Sequence, residues 1–326
     1  MTRMRAAQIT SLDGPDAVEV GDVAEPEPGE GHVLIDVHAA GVSFPEVLQT
    51  RGLYQLKPAL PFVPGSEVSG VIASSPPDSG LAVGDRVAAF ALLGGFAERV
   101  VADVDMTFRL PDTLTFQQGA ALPLNYLTAH FALLRRGRLQ DSESVLVHGA
   151  AGGVGTASIQ VAKAFGAGQV IAVTSNDAKA QVALAAGADD VVLADGFKDA
   201  VTDLTNDHGV DIVVDPVGGD RFTDSLRCLS PGGRLLVIGF TAGEIPTVKV
   251  NRLLLNNIDV RGVAWGGFVL QQPGYVATQW AELVPHIDAG ALLAPIAAAY
   301  PLDSVVEALR ELDDRKAMGK VVLSLR

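Results

Sequence analysis

The chain is short of cysteine, of basic residues and of uninterrupted apolar runs, and each shortage removes a class of function. Cys228 is the only cysteine among 326 residues. One thiol makes neither an internal disulfide nor a multi-cysteine metal site, which fits a reducing, cytoplasmic setting. Lys and Arg number 24 against 38 Asp and Glu, a net charge of −14. A chain this acidic lacks the basic footprint that neutralises nucleic-acid phosphates or meets an anionic lipid surface, so neither nucleic acid nor membrane is expected as a partner. The longest uncharged stretch, residues 113–134, carries Gln117, Gln118, Pro123, Asn125 and His130. It reads as buried helix and loop, not as a membrane span. Arg3 and Arg5 have no apolar run behind them, unlike the start of a signal peptide. Internal repeats and low-complexity tracts are absent.

What is present describes an ordinary globular protein: 48% hydrophobic and 19% charged residues. At about 150 residues per domain the length suggests two domains. The first third has short strand-like runs at 33–39, 67–73, 86–90 and 97–102. Between them lie turns such as Glu25-Pro26-Glu27-Pro28-Gly29 and Val83-Gly84-Asp85. That pattern predicts a compact, barrel-like β domain, with one helix at 45–51. From residue 123 the rhythm changes. Apolar strands at 145–147, 170–173, 191–193, 212–214, 235–238 and 258–263 alternate with helices, among them 178–186 and 220–229. Strands that read as apolar runs are buried on both faces, and six in this rhythm predict an α/β, doubly wound parallel sheet. Helices at 277–288 and 302–312 and a strand at 320–325 follow, and this tail is expected to return to the first domain. The expected division is therefore 1–122 with 265–326 as one discontinuous domain, and 123–264 as the nucleotide-binding domain.

The strongest chemical signal is Val145-Leu146-Val147-His148-Gly149-Ala150-Ala151-Gly152-Gly153-Val154-Gly155, which follows a strand and opens a helix over 156–165. Ala150, Gly152 and Gly155 take the three positions of the dinucleotide fingerprint. Gly152 lets the backbone approach a pyrophosphate, and Gly155 lets helix and strand pack closely. The amides of Ala151, Gly152, Gly153, Val154 and Gly155 then meet the phosphate charge at the helix N-terminus. A carboxylate about twenty residues on usually holds the ribose diol of NAD. Here Val173-Thr174-Ser175-Asn176-Asp177-Ala178-Lys179 offers Ser175 instead, with Lys179 one turn later, a pair suited to a 2′-phosphate and hence to NADP(H). Asp177 is expected to cap the helix that begins at Ala178.

The glycine turn, together with Gly65-Ser66-Glu67-Val68-Ser69-Gly70, Val83-Gly84-Asp85-Arg86-Val87 and Gly319-Lys320-Val321-Val322-Leu323, resembles the medium-chain dehydrogenase/reductase superfamily over nearly the whole length. Within it the chain resembles the zinc-free quinone oxidoreductase (zeta-crystallin-like) branch. The resemblance implies a GroES-like β-rich catalytic domain, a Rossmann domain, a cleft between them, NADPH, and a homodimer built partly on the edge strand at 258–263. Zinc members of the superfamily use an early Cys and a Gly-His-Glu segment. Here the corresponding stretches are Gly41-Val42-Ser43-Phe44-Pro45-Glu46 and Gly65-Ser66-Glu67, so no metal is expected.

The same resemblance suggests site residues. Tyr54, in Arg51-Gly52-Leu53-Tyr54, stands where enoyl-thioester reductase relatives have a proposed proton donor; proton donor and pocket wall are both open. Ser43 and Glu46 replace the Asn and Asp of the family's Gly-x-Asn-x-x-Asp. Ser43 can still hydrogen-bond a carboxamide or ribose, with a shorter reach. Thr128, Val217, Gly239, Phe240 and Trp265 match cofactor-contacting positions. Ala194 stands where a tyrosine often touches the 2′-phosphate. Three functions follow: an NADPH-dependent reductase of quinones or α,β-unsaturated carbonyls, an enoyl thioester (enoyl-CoA) reductase, or a non-enzymatic nucleotide-sensing or RNA-binding protein. Coenzyme A would want a basic patch, and Arg135, Arg136 and Arg138 read instead as a helix end.

Overall fold

The structure, a computed structural model, describes residues 2–326. The chain divides into two compact units. The first runs to Leu124 and takes back Gly274–Ala281 and Leu293–Arg326; the second holds Asn125–Pro273 and Glu282–Leu292.

In the first unit the spine is the eleven-residue strand His32–Val42, in which buried Val33, Ile35 and Val37 alternate with half-buried Leu34, Asp36 and His38. It pairs antiparallel with Glu67–Ser74, with Arg99–Asp103 and with Lys320–Ser324. Arg86–Phe90 and Thr107–Arg109 extend one side of the sheet, and Ile296–Pro301 closes the other. The tail thus returns to this unit. Residues 2–24 add an antiparallel pair, Arg3–Ile9 with Val18–Ala24. The helix Val305–Asp313 lays Val305, Ala308 and Leu309 on the core formed by Val33, Ile35, Val321 and Leu323.

The second unit is a six-stranded parallel sheet. Its order is Asp190–Leu193, Gln169–Thr174, Ser144–Val147, Val210–Asp215, Leu229–Val237, Asp259–Gly262. The first strand in sequence therefore lies beside the fourth, and strand order reverses there, the place where such sheets bind ligands at their carboxyl ends. Leu146, Ile171, Val213 and Leu235 are fully buried or nearly so, which is why these strands read as apolar runs. The uncharged stretch folds as Phe116–Ala120 and Pro123–His130, continued by the π-helical Phe131–Gly137, with Leu122, Tyr126, Leu127 and Leu133 buried. Among the described residues no helix is long and apolar enough to cross a membrane.

The unit boundaries differ from those expected at 122/123 and 264/265. Residues 265–273 stay with the parallel sheet because the Phe268 ring lies 5.0 Å from Phe131, with the Arg135 guanidinium 5.7 Å above it. The helix Tyr275–Asp288 is divided. Trp280 stacks on Phe108 at 4.6 Å in the first unit. His286 lies 4.7 Å from Phe165, and Glu282 lies 2.7 Å from His130 Nε2, in the second. These anchors are single aromatic and charged residues, and no periodicity announces them.

His148, which follows the first parallel strand, is buried. Its Nε2 lies 2.8 Å from Ser225 Oγ, and that hydroxyl already donates to Arg221 O. Nε2–H therefore donates to Ser225, and Nδ1 is left as a buried, unpartnered lone pair. Burial pulls the imidazole pKa down to about 4, against the opposing charge of Asp215 and with a smaller contribution from Arg221. The unfolded chain takes up this proton below about pH 6.5, whereas the folded chain holds out to about 4. The stability that the neutral ring confers is complete above about pH 6.5 and is lost as pH falls toward 4. Urea denaturation at pH 7 and pH 4.5 should show a drop that is smaller in His148→Gln by about 2–3 kcal/mol. Equal drops in the two proteins would refute this.

Candidate cofactor and active site

In the second unit the glycine-rich turn leads from Val147 into the twelve-residue helix Gly153–Ala164. Gly152 is its N-cap, extended at φ −84° and ψ 175°, and no side chain caps the helix. The first-turn amides of Gly153, Val154 and Gly155 thus have no partner within the helix. A Cβ on Gly155 would sit 2.2 Å from Gly149 O and 2.7 Å from Ala150 Cα, so any side chain there would prise the helix off the turn. Close packing is the role expected of this glycine. A Cβ on Gly152 would meet nothing nearer than Gly149 O at 3.4 Å. The missing side chain at 152 therefore serves no contact within the chain and leaves the backbone open to a ligand. Orphaned amides, an uncapped helix and an uncovered turn fit a pyrophosphate.

The adjoining strand ends converge on this turn. Asp215 Oδ1 accepts from the amides of Val217 and Gly218 at 2.8 and 2.9 Å. That bend brings Val217 Cγ2 to 3.2 Å from the Cβ position of Gly149. The next loop is stitched to it by Thr241 N–H to Pro216 O and Ala242 N–H to Val217 O. The stitching carries Gly239 and places the Phe240 ring 2.9 Å from the Cβ position of Gly218. On the other side Ala150 N–H donates to Val173 O, one strand end from the exposed Ser175. Lys179 is half-buried in the first turn of the helix Asp177–Ala185. The cap of that helix is Asn176, not Asp177: Asn176 is extended and its Oδ1 accepts from Lys179 N–H at 3.0 Å, while Asp177 is already helical. Thr128 lies on the helix Pro123–His130 and is 8% exposed. Trp265 opens the short helix Trp265–Val269 and is packed into the unit at 3% exposure.

The first unit holds a buried polar cluster. Glu67, Lys320, Glu46, Ser43 and Ser66 are all under a tenth exposed. Lys320 Nζ donates to Glu67 Oε1 and to Ser43 Oγ. Ser43 Oγ–H donates to Glu67 Oε1 at 3.2 Å, and Leu124 N–H donates to Glu67 Oε2 at 2.9 Å. Glu46, in the helix Phe44–Gln49, accepts from Ser43 N–H at 2.9 Å and from the amide and hydroxyl of Ser66 at 3.1 and 2.7 Å. Burial pushes the Glu46 carboxyl up, against the pull of Ser66 and the Lys320 charge. Glu46 is thus a buried acid in the first turn of its helix, where it closes a capping box with Ser43. Tyr54 is half-buried, and burial together with the Glu46 charge raises its phenol, so the hydroxyl keeps its proton at neutral pH. Among the described residues no group of three His, Cys, Asp or Glu is placed to hold a metal ion. Spacing along the chain could not pair Glu67 with Lys320, 253 residues apart.

A GroES-like β unit joined to a parallel nucleotide-binding sheet with this glycine turn defines the medium-chain dehydrogenase/reductase class. Residues 29–112 match the family described as Alcohol dehydrogenase GroES-like domain, and residues 153–287 match the family described as Zinc-binding dehydrogenase. The rat protein Quinone oxidoreductase-like protein 2 is 38% identical over 325 residues, covering 99% of this chain and 92% of that one. Human Quinone oxidoreductase is 33% identical, covering 99% and 98%. The solved structure of mycobacterial Rv1454c complexed with NADPH has a TM-score of 0.91 at 33% identity, covering 99% of this chain and 100% of that one. The chain belongs to the medium-chain dehydrogenase/reductase superfamily, in its quinone oxidoreductase branch, and is an oxidoreductase.

Proposed function

We propose that the enzyme is a zinc-independent, NADPH-dependent, cytoplasmic reductase of quinones or α,β-unsaturated carbonyls. The observation that carries this reading is the uncapped, uncovered helix start at Gly152–Gly155, with Ser175 and Lys179 where an NAD enzyme would carry a carboxylate. The NADPH complex of a structural neighbour supports it. When bound, NADPH supplies a hydride. The amides of Ala151, Gly153, Val154 and Gly155 would hold its pyrophosphate, while Gly152 N–H is kept by Gly149 O, and Ser175 and Lys179 would hold its 2′-phosphate. Thr128, Val217, Gly239, Phe240 and Trp265 would bound the rest; the Ser43 hydroxyl is already held by Lys320 and Glu67. Tyr54 gives a proton to the reduced acceptor. Zinc independence is supported by the donor set: Ser66 replaces the histidine, and the Lys320 ammonium lies on Glu67, cation where a cation would have to bind. The enoyl-CoA alternative lacks a free basic patch, because Arg136 Nε donates to Gly262 O and Arg135 lies over Phe268.

NADPH consumption over quinones, enones, enals and enoyl-CoA esters, with a chelator present, tests the reading. Turnover of quinones and enones is expected. Loss of activity to the chelator, or turnover of enoyl-CoA esters alone, would overturn it. NADPH should also bind more tightly than NADH. Lys179→Ala should weaken NADPH by about tenfold, the worth of one charge-assisted hydrogen bond, and leave NADH unchanged. Equal affinity of the wild type for the two cofactors would defeat the NADP(H) assignment.

We further propose a homodimer through Asp259–Gly262. This strand is at the sheet edge, with no strand paired to its outer side. Ile245, Val250, Leu254 and Leu255, in the segment before it, are 70–76% exposed. Sedimentation should give a dimer for the wild type and a monomer for the double variant Leu254→Glu, Leu255→Glu. A wild-type monomer at micromolar concentration would count against the dimer.

A further inference from the structure

Asn125 and Thr128 are three residues apart on the helix Pro123–His130 and share one face. They are 4% and 8% exposed. Neither side chain has a hydrogen-bonding partner among the described residues. Their neighbours on the helix are engaged: Tyr126 donates its hydroxyl to Gln160 Oε1 at 2.7 Å, and His130 Nε2 meets Glu282. The polar atoms of Asn125 are thus left to solvent or to a ligand.

The position of that carboxamide is specific. A Cβ at residue 153 would come 2.5 Å from Asn125 Nδ2 and 3.2 Å from its Cγ. Glycine at 153 is therefore what allows Asn125 to lie against the first residue of the helix Gly153–Ala164. That helix start presents the amides of Gly153, Val154 and Gly155 with no capping side chain. Nδ2 carries two further N–H groups, and the Thr128 hydroxyl adds another on the same face. Amide, carboxamide and hydroxyl donors gathered at a helix start suit an anion rich in oxygen.

We propose that Asn125 is a cofactor-binding residue: its Nδ2 donates to a pyrophosphate oxygen of the dinucleotide seated on the Gly153, Val154 and Gly155 amides. The proposal rests on the reading of the chain as NADP(H)-dependent. It gives Gly153 a purpose distinct from that of Gly155, since Gly153 makes room for a side chain and Gly155 for the backbone.

Calorimetric titration of the full chain with NADPH and with adenosine 2′-monophosphate, which has no pyrophosphate, tests it. Asn125→Leu should weaken NADPH by about tenfold, the worth of a hydrogen bond to a charged group. Asn125→Asp should weaken it by about a hundredfold, because a carboxylate then faces phosphate. A carboxylate suits an unliganded helix start, so the melting temperature of this second variant should not fall. Adenosine 2′-monophosphate should bind all three proteins within about twofold of one another. NADPH affinity unchanged in both variants, or equal loss of both ligands, would overturn the role of Asn125. Failure of the wild type to bind NADPH at all would instead overturn the cofactor reading on which it rests.

Discussion

Tyr54→Phe is expected to lower kcat on an enone by about 10²–10⁴ while the NADPH dissociation constant stays unchanged. Hydride addition to an enone leaves negative charge on oxygen or the α-carbon, and one proton must then be delivered. Burial and the nearby Glu46 charge hold the Tyr54 phenol above its ordinary range, so the proton is present throughout the neutral range. The hydroxyl has no partner among the described residues and is free to donate. A quinone accepts hydride to give an already stabilised anion, so the variant should lose less on quinones. Loss of a pocket wall would instead raise KM with kcat intact. The measurement is kcat and KM on one quinone and one enone, with NADPH affinity taken separately. An unchanged kcat on both acceptors would reduce Tyr54 to a wall.

Lys320→Met should destabilise the protein by about 3–5 kcal/mol, the usual cost of leaving a buried charge without its partner. Glu67 is 0% exposed and Lys320 3%, and Glu46 is a second carboxyl in the same cluster. In the variant Glu46 loses the pull of the Lys320 charge, so burial pushes its carboxyl further above the ordinary glutamate value. Stability is retained below about pH 4, the ordinary glutamate value, and is lost as pH rises through the raised Glu46 value. Urea midpoints at pH 5 and pH 8 should therefore show a larger deficit at pH 8. Adding Glu67→Gln should recover part of it by removing one of the stranded charges. A deficit under about 1 kcal/mol at pH 8 would show that the ion pair contributes little.

Much of the second unit was legible because its signals are local. Strands buried on both faces are apolar runs wherever they occur, and each of the six expected strands lies within about six residues of its observed ends. The first unit was less legible. Arg3–Ile9 is interrupted by Ala6-Ala7, both fully buried, so polar and apolar residues do not alternate cleanly. Ile296–Pro301 is largely alanine and carries almost no hydrophobic signal. The cap at Asn176 was assigned one residue late, since two adjacent residues, Asn176 and Asp177, are both good caps. Only the extended backbone at Asn176 separates them.

The sequence by itself determined the class of this protein. The glycine turn between strand and helix, a serine at position 175 where a carboxylate usually stands, and the single cysteine are short-range facts that survive without coordinates. The tertiary structure alone decided what long-range pairing controls. It set Lys320 against Glu67, divided the helix Tyr275–Asp288 between two units, and laid Asn125 against Gly153. Each of these joins residues 28 or more positions apart or turns on one anchoring side chain. The physical reason is that such contacts are selected by burial after the chain has folded, when an ammonium, a ring or a carboxamide must satisfy whatever the packing brings to it.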